Sequence, residues 1–132
     1  MPETETPRPT DAELGILKVL WRRGPSTVRE VFEALGEERG TGYTTILKLM
    51  QIMADKGLVV RDESERAHRY EAAAPEDETQ RRLVGDLLRK AFDGAAAKLV
   101  MQALSTERAS AEELSEIRRM LDELEGKGKG RR

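Results

Sequence analysis

Tyr43, Thr44, Thr45 and Lys48 open the stretch TGYTTILKLMQIMADKGLVV, residues 41–60, where an ordinary solvated helix would carry Glu and Lys. Short hydroxyls and an isolated ammonium are groups that bond phosphates and base edges. In the same stretch Ile46, Met50 and Met53 follow the i, i+4, i+7 spacing of a buried stripe, with Leu47 beside them. The pattern predicts a helix ending at Lys56 and Gly57. One face packs on a core, and the other, with Thr44, Thr45, Lys48 and Leu49, lies against something polar and anionic. Tyr43 suits either core packing or a phosphate contact through its hydroxyl. Farther along, Arg66 and Arg69 flank a polar turn, where they meet either a DNA backbone or the neighbouring Glu63 and Glu65.

Other chemistry is thinly represented. With no Cys and one His, the chain has no disulfide framework, thiolate metal site or cysteine nucleophile. His68, a lone imidazole in a strand, is assigned no chemistry. The carboxylates fall on solvated faces and at helix starts, where capping explains them, and no pair is set apart for acid/base work. Nothing resembles a phosphate-binding glycine loop, a nucleophile elbow or a metal cluster. The expectation is a protein without catalytic residues, metal ligands or cofactor. The formal charge of −2 argues against a general basic footprint. Residues 1–74 carry 11 Lys and Arg against 13 Asp and Glu, and residues 75–132 carry 12 against 12. A DNA binder with this balance must segregate its charges by face.

The elements that would position these groups follow from caps and periods. Residues 1–9 are polar and hold three of the five prolines, as in a disordered arm. Thr10 and Glu13 have capping-box spacing, predicting a first helix over about 11–23 that buries Leu14, Leu17, Val19, Leu20 and Trp21. Gly24 and Pro25 stop it. Thr27 and Glu30 repeat the box and open a second helix with Val28, Val31, Phe32 and Leu35 apolar, ending near a 36–40 loop. After the third helix, LVVRDE and HRYEAA read as two strands around the four-residue turn SERA. Three helices and a hairpin make a winged helix-turn-helix over 10–74, whose third helix would enter the major groove.

From Pro75 the pattern is helical only. Leu83, Val84, Leu87, Leu88, Ala91 and Phe92 line one helix. AAAKLVMQALS forms a short second one. Ser110 and Glu113 cap a last helix, with Leu114, Ile117, Leu121 and Leu124 at a/d spacing. These helices are too few to close a core of their own. A second copy of the chain would cover Leu83, Leu87, Leu88, Phe92 and the last seam, so 75–125 is expected to form a homodimer, with a flexible basic tail over 126–132. No apolar run approaches the roughly 20 residues that span a bilayer, and MPETETPRPT is not a signal sequence. A cytoplasmic protein without stable membrane association is expected.

TDAELGILKVLW, GPSTVREVFEAL, GYTTILKLMQIMADKGLV and RAHRYEAA, followed by DLLRKAFDGAAAKLVMQAL and SAEELSEIRRMLDELE, resemble in order and spacing the penicillinase-repressor (BlaI/MecI/CopY) family. The resemblance covers residues 10–125. It implies a mainly α fold, a winged helix followed by a C-terminal helical dimerisation region, and a dimeric repressor on a double-stranded inverted-repeat DNA operator. It also implies an inducing partner. In the best-known members a sensor protease of the membrane cuts the C-terminal region, and a copper-responsive branch uses a Cys-rich tail. This chain has Ala95, Ala96 and Ala97 close to where cleaved members carry Asn-Phe, and its lack of Cys excludes thiolate copper sensing. Leu49 and Ile52 stand where many relatives would have Thr and Arg. Two other readings stay open: a winged-helix module that binds another protein, and a DNA-binding regulator answering a small-molecule inducer.

Overall fold

A computed structural model describes residues 8–36 and 40–130 of the chain. Most of the arm expected over 1–9, the centre of the 36–40 loop and the last two residues of the tail lie outside them. Helix α1, Asp11–Arg23, starts on the expected capping box: the Glu13 amide donates to the Thr10 hydroxyl at 3.2 Å, and the Thr10 amide donates to the Glu13 carboxylate at 2.9 Å. Its core stripe is Ile16, Leu17, Val19 and Leu20, whereas Leu14 and Trp21, expected to be buried, are half-buried at the rim. The Trp21 indole is held there because its N–H donates to the Ala74 carbonyl at 2.9 Å.

Strand β1, Ser26–Thr27, precedes helix α2, Val28–Val31, which widens into a π-helical turn over Phe32–Gly36. Thr27 and Glu30 form the second capping box. Helix α3, Tyr43–Lys56, buries Ile46, Met50 and Met53 as its spacing predicts. It ends at Gly57, whose φ of 85° is the left-handed conformation that costs glycine least. The hairpin of β2, Val59–Asp62, and β3, Arg69–Ala72, follows.

The sheet is three-stranded and antiparallel in the order β1-β3-β2, with Tyr70 opposite both Ser26 and Arg61. The hairpin is therefore shorter than expected, and its connection spans residues 63–68. One physical reason is local: the Asp62 carboxylate accepts the Ser64 amide at 2.9 Å, turning the chain away from the ladder. Tyr70, Val59 and Leu58 close the core against α1, α2 and α3. No buried side-chain nitrogen or oxygen among the described residues lacks a hydrogen-bond partner.

Three further helices follow: α4, Glu76–Phe92, α5, Ala96–Thr106, and α6, Ala111–Gly130. Ser110 and Glu113 cap α6 reciprocally, at 2.8 and 3.0 Å. The helix runs into the segment read as a flexible tail, a correction for 126–130. Glycine weakens a helix by about 1 kcal/mol relative to Ala, yet it breaks no backbone hydrogen bond. The chain divides into compact units Met1–Gly85 and Asp86–Arg132, so the division falls within α4, beyond the boundary expected at residue 74. No described residue from 76 to 126 is buried. Among the described residues no helix is long and apolar enough to cross a membrane.

Candidate nucleic-acid interface

Helix α3 is anchored by its apolar stripe, which turns Thr44, Thr45 and Lys48 to solvent. Its N-cap is Gly42, which supplies no side-chain cap, and its first turn carries no acid. The first-turn N–H groups and the positive end of the helix dipole are thus unmasked, as an approaching phosphate requires. Lys48 forms no ion pair among the described residues. Leu49 departs from the expected outward face: it is half-buried and packs against the core, because the apolar stripe is wide enough to take it in. Ile52, an apolar residue of α3, projects instead, at 38% exposure.

An open groove of about 400 Å³ separates α3 from the wing. Tyr43, Leu47 and Gln51 line its helix side, and Arg61, Arg66 and His68 line its wing side. Tyr43 is fixed by its ring, which meets Phe32 edge to face with centroids 5.9 Å apart, while the Arg29 guanidinium lies 5.2 Å from the Tyr43 centroid. Arg61 shares the inward face of the sheet with Tyr70 but emerges at its end. The Tyr70 hydroxyl first, and then Glu63 at 2.7 Å, raise the Arg61 pKa above its ordinary value.

The two wing arginines differ. Arg66 sits in the exposed connection with no ion pair among the described residues. Arg69 points to the other face, with Glu30 at 3.5 Å and Glu65 at 3.7 Å. Glu30 also meets Arg23 at 3.7 Å. Its pKa is lowered chiefly by the Thr27 amide, with burial opposing and Arg69 and Arg23 assisting. Arg69 is therefore committed within the protein, while Arg66 is available. The lining of the groove carries Arg29, Arg61 and Arg66 against the single carboxylate Glu63, so charge is segregated by face here although the whole chain is negative.

Arg29, Gln51 and Arg61 escaped the reading of the sequence. Strand alternation places Arg61 with Tyr70, a signal that was present. Gln51 stands two turns after Tyr43 on the same side of α3. Arg29 had no such signal, because its partner Tyr43 comes from another element.

A short three-stranded sheet packed on three helices, with a cationic groove between the third helix and the hairpin, defines a winged-helix protein. The profile of the penicillinase repressor family matches residues 9–123, and the chain belongs to that family. It is 38% identical over 123 residues to the "Transcriptional regulator BlaI" of Mycobacterium tuberculosis, a match covering 92% of this chain and 88% of the relative. It is 24% identical to the "Penicillinase repressor" of Bacillus licheniformis, over 93% of this chain and 96% of that one. The "Methicillin resistance regulatory protein MecI" of Mammaliicoccus sciuri is 20% identical, over 86% and 92%.

Proposed function

We propose that the chain is a DNA-binding transcriptional repressor, acting in the cytoplasm as a homodimer on an inverted-repeat operator. The observation that carries this reading is the unmasked start of α3, with Thr44, Thr45 and Lys48, which has no ion pair among the described residues, beside an arginine-lined groove. The names of the relatives, a transcriptional regulator, a penicillinase repressor and a methicillin resistance regulatory protein, support it. Hydroxyls and N–H groups of α3 read base edges and hold the register, and Lys48 and Arg66 neutralise phosphates. Two winged domains joined through their C-terminal helices present two such helices to two half-sites, which accounts for the inverted repeat. Repression then follows from occupancy of a promoter. Any signal that cuts or loosens residues 93–110, a sensor protease or a bound small molecule alike, releases DNA without touching the reading face.

The test is a mobility-shift series at several salt concentrations, using the DNA upstream of the chain's own gene. Lys48→Ala should weaken binding and lower the salt slope by about one unit, as expected for one lost phosphate contact. Thr44→Ala and Thr45→Ala should each cost about 1–3 kcal/mol on the preferred sequence if they touch bases. Unchanged binding in all three variants would remove α3 from the DNA. Salt-insensitive capture of a protein, with no DNA shift, would favour an interaction module.

A further inference from the structure

Among the described residues, two guanidiniums that line the groove meet no carboxylate, Arg66 in the exposed connection and Arg29. Arg61 is held by Glu63, and Arg69 by Glu30 and Glu65, whereas Arg29 rests on two rings, 5.2 Å from the Tyr43 centroid and 6.0 Å from that of Phe32. The rings brace each other at 77°. A guanidinium over an aromatic face spends none of its in-plane N–H donors on that contact, so it is oriented and still able to bond. Arg29 is exposed and lines the same groove as Arg66.

We infer that Tyr43 and Phe32 form a platform that preorganises Arg29 as a clamp on the DNA sugar-phosphate backbone, with Tyr43 acting through its ring. This rests on the DNA-binding reading and assigns it a residue outside both α3 and the wing. Two properties follow. A phosphate contact carries no sequence information, so its loss weakens specific and nonspecific binding together. The platform acts only through its cation, so once Arg29 is removed, removing Tyr43 as well should cost nothing further.

The experiment measures fluorescence anisotropy of the full chain on an upstream duplex and on a scrambled duplex of equal length, across a salt series. Arg29→Ala should weaken binding to both about tenfold and lower the salt slope by about one unit. Arg29→Lys should keep the slope but not the full affinity, because an ammonium keeps the charge without the flat, preorganised fork. Tyr43→Phe, which keeps the ring, should keep the part of the affinity that depends on Arg29, so that Arg29→Ala costs as much in the Tyr43→Phe background as in the parent. Tyr43→Leu, which leaves the Arg29 charge without its platform, should resemble Arg29→Lys, with affinity reduced on both duplexes and the slope kept, and the double variant Arg29→Ala with Tyr43→Leu should be no weaker than Arg29→Ala alone. Circular dichroism melting accompanies each variant, and Arg29→Lys with Tyr43→Phe, which preserve bulk, keep the comparison open should Tyr43→Leu unfold. Parental affinity and slope in Arg29→Ala, while Lys48→Ala still weakens binding, would overturn the clamp and leave the DNA-binding reading standing. A Tyr43→Phe defect as large as that of Tyr43→Leu would assign the contact to the hydroxyl and overturn the platform. A parent protein that binds neither duplex would defeat both the reading and the clamp.

Discussion

At the scale of single residues, the position of α3 depends on a charge that is almost wholly buried. The Glu13 carboxylate, 2% exposed, caps α1 and accepts two bonds from the Lys56 ammonium at 2.8 and 2.9 Å, tying the start of the first helix to the end of the third. Burial alone would raise the Glu13 pKa; Lys56 and the Thr10 amide outweigh it, so the net shift is downward from the ordinary 4.5. A lowered folded-state pKa means that the unfolded chain binds the proton more readily. The stability it contributes is complete above the ordinary value and is lost as pH falls through the lowered one. Lys56→Met should therefore destabilise the protein at pH 7 by about 2–4 kcal/mol, since a buried carboxylate is left without its cation while Lys56 itself keeps some solvent access. The deficit should shrink toward pH 3, where Glu13 takes up a proton and no longer needs one. Urea melts of both proteins across that range check this, and a deficit independent of pH would assign the loss to packing instead. The capping role of Glu13 was legible, because Thr10 and Glu13 are three positions apart. Its burial and its partner were not, because the Lys56 contact joins segments 43 positions apart and leaves no local pattern.

At the scale of elements, the wing separates two arginines that sequence alone treats alike. Strand parity decides: Arg69 pairs across the sheet with Asp62 and Thr27, on the face that carries Glu30, whereas Arg66 stands beyond the ladder in the exposed connection. Arg66→Ala should weaken specific and nonspecific DNA binding by a similar factor and lower the salt slope. Arg69→Ala should leave the slope nearly unchanged and cost at most about 1 kcal/mol of stability, the range of exposed ion pairs. Binding and melting of the two variants side by side test this, and an equal loss of slope in both would return Arg69 to the DNA. The hairpin was legible from its alternation, and α3 from its stripe. Strand β1 was not, because two residues carry no period and Ser26 becomes a strand only by pairing with Tyr70. The π-helical turn after α2 was equally hidden, since nothing in FEALG distinguishes it from an α-helical continuation.

At the scale of the whole molecule, the apolar side chains of the last helices are exposed or only half-buried among the described residues. Leu87, Leu121 and Leu124 are 49%, 55% and 53% exposed, and Leu83, Leu88, Phe92, Leu114 and Ile117 are only half-buried. Val84, Val100, Met101, Leu104 and Met120 add to the exposed set, and most of these escaped a reading that followed a/d spacing alone. So much exposed apolar surface on a small protein is what the proposed dimer would cover. In the proposed dimer these helices bury one another, and Leu121→Asp would place a carboxylate among apolar groups, at a cost of several kcal/mol unless the interface opens. Opening is the expected result, because in a single chain position 121 lies in water and the winged core does not involve it. The variant should sediment as a monomer and keep the near-parental melting of its winged unit. Operator affinity should fall by about 10²–10⁴, since the second half-site no longer gains from the effective concentration that tethering supplies. Half-site affinity should be unchanged, because Thr44, Thr45 and Lys48 are untouched. Sedimentation paired with binding to full and half operators separates the outcomes: a variant that stays dimeric places the interface elsewhere, and a monomer that binds the full operator as tightly as the parent breaks the proposed link between the C-terminal helices and repression.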